Sequence, residues 1–310
     1  GDASPFEGAL AKTREAGLYN INGGDSRFDN EYPSYSSVAP IGLRVGSERQ
    51  IYSSNSNENT YTNLWTGRFF GFRYLQLTVK NTEEPIRVRP FNIYFHIYSG
   101  QKQASLSAVR ENLDFARTQR VIPITTSDYA AIAGGYYAVR IVPSGERRWK
   151  VENRGHLQTV RFDHAAGLSV DFTASEGVLG QHYLQNNLYI SLDPVSESPV
   201  IQLKNSEHIG VLPREDIPYL VDSRWQIKGL QLSKKMLTIH TQGYGHGEMS
   251  WMMPESGNYL IKAAKAGANT AFVFEKEVRT ADNALLSFSI DIEVNTLPEP
   301  LVVTVQKNEN

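Results

Sequence analysis

Phe91-Asn92-Ile93-Tyr94-Phe95-His96-Ile97-Tyr98-Ser99-Gly100 is the stretch on which the fold reading turns. Its run is almost continuously apolar and stops at Ser-Gly, the pattern of a buried strand. Downstream, Leu106, Val109, Leu113 and Ala116 fall on one helical face. A short strand at 121–124, a helix at 128–133 closed by Gly134, and a strand at 136–142 follow. Upstream, 74–80 reads as another strand, and 18–21 as a short one ending in the turn cluster Asn22-Gly23-Gly24-Asp25. The chain opens on a capping box, Ser4-Pro5-Phe6-Glu7, before a helix that Gly17 stops. Strands alternating with helices predict an α/β domain over residues 1–144.

Beyond Pro143 the pattern changes. Short β-like runs at 149–151, 157–162, 168–172, 188–192, 200–203, 225–232, 236–241, 248–253, 259–263, 271–278, 284–294 and 301–305 alternate with turn residues, with no helical period. That spacing predicts an all-β, sandwich-like domain over 145–310. In the first half, 30–63 is polar, rich in Ser, Asn and Tyr, and its Asn55-Ser56-Asn57-Glu58-Asn59 run offers little to a core. Tyr32, Tyr35, Tyr52, Tyr61 and Trp65 punctuate this segment. Amphipathic aromatics suit flat ligands such as sugar rings, and they equally serve to pin a loop to its own domain.

Composition excludes several function classes. The chain has 310 residues, 31 Lys and Arg against 33 Asp and Glu, and no Cys. A near-neutral balance argues against a broad nucleic-acid surface. Without Cys there is no disulfide framework, thiolate metal site or Cys nucleophile. No run of about 18 apolar residues is present to span a membrane. G-x-S-x-G, Walker and strand-linked G-x-G-x-x-G motifs are absent. Gly243-Tyr244-Gly245-His246-Gly247 lies among strands and reads as a hairpin or bulge rather than a phosphate cradle.

Ligands of α/β sheets gather at the carboxyl ends of strands. Two polar groups stand at such ends, the Asn22–Asp25 turn and His96. An imidazole on an apolar strand is either a hydrogen-bonded core residue or a general acid. Asp25 either orients such a group or caps its turn. Of the seven His, only His96 falls in the first half, so that half cannot supply an Asp/His/His metal site; Asp163-His164 and the pair His240 and His246 lie in the second.

Residues 9–25 (ALAKTREAGLYNINGGD), 49–59 (RQIYSSNSNEN) and 92–100 (NIYFHIYSG), with Ala104-Ser105-Leu106, resemble the polysaccharide deacetylase region of the Pel exopolysaccharide modification proteins. Residues 154–159 (RGHLQT), 177–181 (GVLGQ) and 219–225 (YLVDSRW) resemble the C-terminal part of the same family. The resemblance implies a NodB-type distorted β/α barrel, here only its later portion, followed by the β domain. It implies a periplasmic hydrolase that removes N-acetyl groups from an amino-sugar biofilm polysaccharide. A divalent metal such as zinc, held by one Asp and two His, polarises the acetyl carbonyl in such enzymes.

Position by position, the resemblance gives His96 the general-acid role and Asp25 an orienting role. Tyr94 and Phe95 would line the acetyl pocket, and Asn22 and Trp65 would contact substrate. The motifs that carry the base and the metal ligands are missing, so they are expected to precede Gly1 in a longer protein, with Gly1-Asp2 as a remnant. The chain alone would then be inactive. Partners implied are the polysaccharide and other exopolysaccharide synthesis or export proteins. An alternative is a non-catalytic module that binds carbohydrate or a partner, for which the β half, the Tyr-rich segment and the missing metal triad speak. Trp65, Trp149, Trp225 and Trp251 would then report on sugar binding.

Overall fold

The structure is a computed structural model and describes residues 4–82, 89–233, 236–243, 245–265, 272–292 and 299–308. The expected remnant Gly1-Asp2 lies outside the described residues. The chain divides into two compact units, residues 1–121 with 129–134, and residues 122–128 with 135–310. The whole is β-rich.

In the first unit α1 (Glu7–Glu15) forms where the sequence places it. Its end is a left-handed Gly17 whose N–H reaches back to Arg14, while Leu18 N–H reaches Thr13. The capping box does not close. Phe6 is the cap residue and gives no side-chain bond. Glu7 instead accepts from the backbone N–H and hydroxyl of Ser47, each at 2.7 Å. The tip of the hairpin β1 (Gly42–Val45) and β2 (Glu48–Ile51) is thereby tied to the helix. Gly46 sits in this turn at φ 62°, the left-handed region that favours glycine, and a Cβ there would displace the Glu7 carboxylate.

The rest of this unit departs from the expected α/β sheet. Its described strands are the two of that antiparallel hairpin, with isolated parallel bridges at Asn22–Tyr52 and Ser26–Asn55. Residues 74–80, expected as a strand, form α3 (Leu75–Asn81). Leu75, Thr78 and Val79 are its buried face, at helical spacing. Thr78 hid that period because it is polar. Its hydroxyl is accommodated by Tyr61 Oη at 2.8 Å and the Phe28 N–H at 3.0 Å. The core of the unit joins Tyr61, Phe72, Leu75 and Val79 to Ala108 and Val109 of α4 (Gln103–Thr118).

Residues 91–98 are not a strand either. Phe91 and Ile93 pack on that core, whereas Tyr94, Phe95, Ile97 and Tyr98 are exposed. Side chains of the polar segment satisfy the run where a neighbouring strand would: Asn92 accepts twice from Asn55, and Glu58 accepts the His96 N–H. The Asn55–Asn59 run, expected to offer little to a core, is therefore largely packed inside. Asn55, Ser56 and Glu58 are buried, and α2 (Glu58–Tyr61) starts there with Asn57 as its cap. Residues 121–124 carry no strand; the expected helix at 128–133 is the middle of α5 (Thr126–Ala138), so only the tail of 136–142 is β.

Apart from the ends of α5, the second unit is built of β-strands, as the turn-punctuated runs predict. A six-stranded sheet runs in the order β16 (Leu285–Ile292), β13 (Gly245–Met252), β10 (Tyr219–Ser223), β7 (Val178–Leu184), β8 (Asn187–Leu192), β5 (Thr159–Phe162). A five-stranded sheet runs β11 (Gln226–Leu232), β12 (Met236–Gly243), β17 (Glu299–Lys307), β14 (Asn258–Lys265), β15 (Phe272–Arg279). A four-stranded sheet runs β3 (Arg140–Gly145), β4 (Arg148–Glu152), β9 (Val200–Asn205), β6 (Leu168–Val170).

The large sheet serves two sandwiches. Leu220 and Trp251 enter the core shared with the five-stranded sheet. Their neighbours Tyr219 and Met252 enter the core shared with the four-stranded one. This is the period-two alternation of a strand buried on both faces. The halves join where β7 and β10 pair in parallel at Gly180 and Leu220. A Cβ on Gly180 would sit 1.8 Å from the Leu220 carbonyl oxygen, so glycine permits the seam.

The Gly-rich stretch at 243–247 is not a hairpin between paired strands, because β12 and β13 belong to different sheets. Tyr244 lies outside the described residues. A Cβ on either Gly243 or Gly247 would fall 2.2 Å from ring atoms of the fully buried Trp225. The glycines form a bed for that indole.

Candidate functional site

His96 is the centre of a constellation in the first unit. It lies at the end of the extended 91–96 run, just before a short 3-10 turn, Ile97–Gln101. Its Nδ1 is 2.7 Å from Glu58 Oε1, and its backbone N–H donates to the same oxygen at 3.1 Å. The Glu58 side chain is 1% exposed and the imidazole 34%. A buried carboxylate facing Nδ1 sets that nitrogen as the N–H donor and leaves Nε2 for chemistry. Tyr94 Oη stands 3.5 Å from Nε2.

Aromatic rings frame the imidazole. Tyr98 stacks on it at 4.9 Å with planes 6° apart, and the Tyr94 ring lies at 5.3 Å. Trp65 meets the Tyr98 ring edge-on at 5.1 Å, and Tyr98 Oη donates to Asn59 Oδ1 at 3.1 Å. The 62–66 turn that carries Trp65 is unusual. Asn63, Leu64 and Trp65 have φ of 49°, 53° and 66°, three successive left-handed residues of which none is glycine. Thr62 anchors the turn, donating to the Glu58 carbonyl at 2.9 Å and accepting the Trp65 N–H at 3.2 Å.

The expected site residues divide between those the fold gathers and those it does not. His96, Tyr94 and Trp65 belong to the constellation. The Asn22–Gly23 turn reaches its edge: a Cβ on Gly23 would lie 3.0 Å from Tyr94 Cε1. Asn22 Oδ1 accepts from the Gly23 N–H at 3.3 Å. Asp25 is exposed, and no hydrogen bond links it to His96; the carboxylate on the imidazole is Glu58. Phe95 is exposed and joins no ring of the stack. Sequence reasoning missed Glu58, Tyr98 and Asn59. The available signal was one acidic side chain within an Asn/Ser run of no evident core value.

The other aromatics of the polar segment take different roles. Tyr61 is buried, its phenol pushed well above the usual range by burial. Tyr32 lies under the Arg27 guanidinium, which pairs with buried Asp29 at 2.8 Å. Tyr35 packs edge-on against Phe28. Trp225 and Trp251 are fully buried, so neither is a sugar platform, and Trp149 packs on Phe162.

Glu58 and His96 do not amount to a metal donor set, since Nδ1 and Oε1 are committed to each other. Among the described residues no group of three His, Asp or Glu could hold an ion. His246 contacts Asp291 at 2.7 Å and Glu248 at 3.3 Å on the sheet surface, apart from His240 in the facing sheet. No helix among the described residues is long and apolar enough to cross a membrane.

No family model matches the chain, and no curated protein matches it. Among solved structures, a glycoside hydrolase 29 family member from an unknown rumen bacterium aligns at TM-score 0.19 and 10% identity. The alignment covers 94% of this chain and 56% of that one. A likeness this slight carries no argument about fold or function.

Proposed function

We propose that the first unit carries the general-acid part of a polysaccharide N-deacetylase site, acting on an N-acetylated amino-sugar polymer of the Pel type in the periplasm. The observation that supports this most is the dyad itself: a half-exposed imidazole oriented by a buried carboxylate and framed by aromatic rings. The reading needs no barrel, and the described residues contain none.

Hydrolysis adds water across the acetamide C–N bond. A C–O bond forms, the C–N bond breaks, and acetate and the sugar amine separate. The amine is a poor leaving group unless protonated. His96 Nε2–H, in the imidazolium form, is placed to deliver that proton as the bond breaks. Glu58 holds the ring through Nδ1 and compensates its charge. Tyr98 and Trp65 supply flat apolar faces for sugar rings. The divalent metal, its ligands and the residue that takes the proton of water belong, on this reading, to the longer protein.

The test is acetate release from a soluble N-acetylated amino-sugar polymer by the full-length protein. Substitution His96→Ala should lower the rate by roughly 100-fold or more. An unchanged rate would remove His96 from the chemistry. A second reading, a carbohydrate-binding module, is favoured by the exposure of Tyr94 and Tyr98 beside Trp65. It predicts saturable binding of the polymer with no acetate release.

A further inference from the structure

We propose that Glu58, Ser99 and Trp65 form a subsite that reads adjacent hydroxyls of a pyranose ring seated beside Tyr98. This deepens the carbohydrate reading of the site and rests on it.

Glu58 Oε1 is used twice by His96, yet Glu58 Oε2 is buried and has no hydrogen-bond partner among the described residues. Ser99 Oγ and Trp65 Nε1 are buried and partnerless in the same way, and so is Asn92 Nδ2. Eight side-chain atoms of the described chain share this condition. Half of them sit on the two short segments that meet at the Glu58–His96 contact. Ser99 N–H donates to the His96 carbonyl at 2.9 Å, and the Trp65 ring abuts Tyr98. Buried polar groups are normally paired, so a cluster of orphans marks a place completed by something else.

The chemistry of the set narrows what completes it. A carboxylate oxygen only accepts, an indole N–H only donates, and a hydroxyl does both. Adjacent ring hydroxyls, each donor and acceptor at once, match all three. A phosphate would be repelled by the carboxylate, and a bare cation would face the indole N–H. The exposed Tyr98 ring adds a stacking face.

The orphan atoms are covered in the present conformation. The turn that carries one of them, Trp65 Nε1, has three successive left-handed residues, and its Leu64 side chain is 75% exposed. Left-handed backbone at non-glycine residues is costly, so lifting this turn releases strain. Opening would part Trp65 from Tyr98 and admit a ring between them, with Trp65 Nε1 still at its edge.

The test is 19F NMR of the whole chain labelled with 5-fluorotryptophan, titrated with tetramers of N-acetylglucosamine and of N-acetylgalactosamine. The Trp65 resonance, assigned through Trp65→Phe, should shift saturably with one of them. Affinity should fall roughly tenfold in Trp65→Phe and Ser99→Ala, each losing one polar contact. In Leu64→Gly, where the closed turn is relaxed, binding should weaken roughly fivefold. Binding that leaves Trp65 unmoved, unchanged affinity in all three variants, or no binding of either tetramer would overturn the subsite. Binding as described without acetate release from the full-length protein would instead overturn the deacetylase reading and leave the subsite standing.

Discussion

Glu58 Oε1 accepts both the Nδ1–H and the backbone N–H of His96, residues separated by 38 positions in the chain. One buried oxygen thus fixes where the imidazole sits and which nitrogen faces out. Glu58→Gln removes the charge and leaves the shape. It should lower acetate release by roughly 10- to 100-fold, the size of effect that losing a histidine's carboxylate partner has at metal sites. A purely structural role would not move the ring's protonation. The 15N shifts of His96 should therefore change in Glu58→Gln while the thermal midpoint changes little.

Trp225 and Gly247 make a second close relationship. A methyl group on Gly247 would overlap the indole, which is fully buried. Gly247→Ala should destabilise the β unit by about 1–3 kcal/mol, the usual cost of overpacking. Urea unfolding followed by Trp fluorescence measures it, and Gly243→Ala should behave alike.

Arg154 is buried and donates to the carbonyls of Leu157, Asp193, Pro194 and Ser196. Burial holds its guanidinium pKa below the ordinary arginine value. Arg154→Met fills similar space and strands those carbonyls, at about 1–3 kcal/mol for each left unsatisfied. The loss should appear in the same urea titration as a lower midpoint with an unchanged slope. A neutral outcome would show that water satisfies the carbonyls instead.

His246 is held by hydrogen bonding to Asp291, with Glu248 on its other nitrogen, and its pKa is raised above the ordinary 6.5. A raised folded-state pKa means that the stabilisation is complete below about pH 6.5 and is lost as pH rises through the higher folded value. The side chain is 46% exposed, so the effect should be at most a few tenths of a kcal/mol. NMR titration of His246 should give a midpoint above 6.5, and His246→Gln should flatten the corresponding fall in stability. A midpoint at or below 6.5 would contradict the contact.

The β unit was legible because its alternation is strong: Leu188, Ile190 and Leu192 all face one core. Its seam was not. Gly180 and Gln181 in β7 and Asp222 in β10 break the apolar pattern where the two sandwiches join. In the first unit α1, α4 and the helix containing 128–133 followed from spacing and turn residues. The expected strands failed for a physical reason. Thr78 is polar yet belongs to the core, and Tyr94, Phe95, Ile97 and Tyr98 are apolar yet exposed. Hydrophobic pattern is misleading where buried polar bonds carry the structure and aromatic rings face outward. His96 could be singled out as a residue out of place on an apolar run. Glu58 could not, because its partner is distant in sequence.

The central claim, that His96 and Glu58 act as one unit on the acetamide of an amino sugar, is tested most directly by a double-mutant cycle. Acetate release by the full-length protein would be measured for the parent, His96→Ala, Glu58→Gln and the double variant. A residue that only positions another adds little once that other is gone. At saturating polymer, where the contact of Glu58 with the bound sugar no longer counts, the double variant should be as slow as His96→Ala alone. Losses that multiply, or a parent that releases no acetate while binding the polymer, would contradict it.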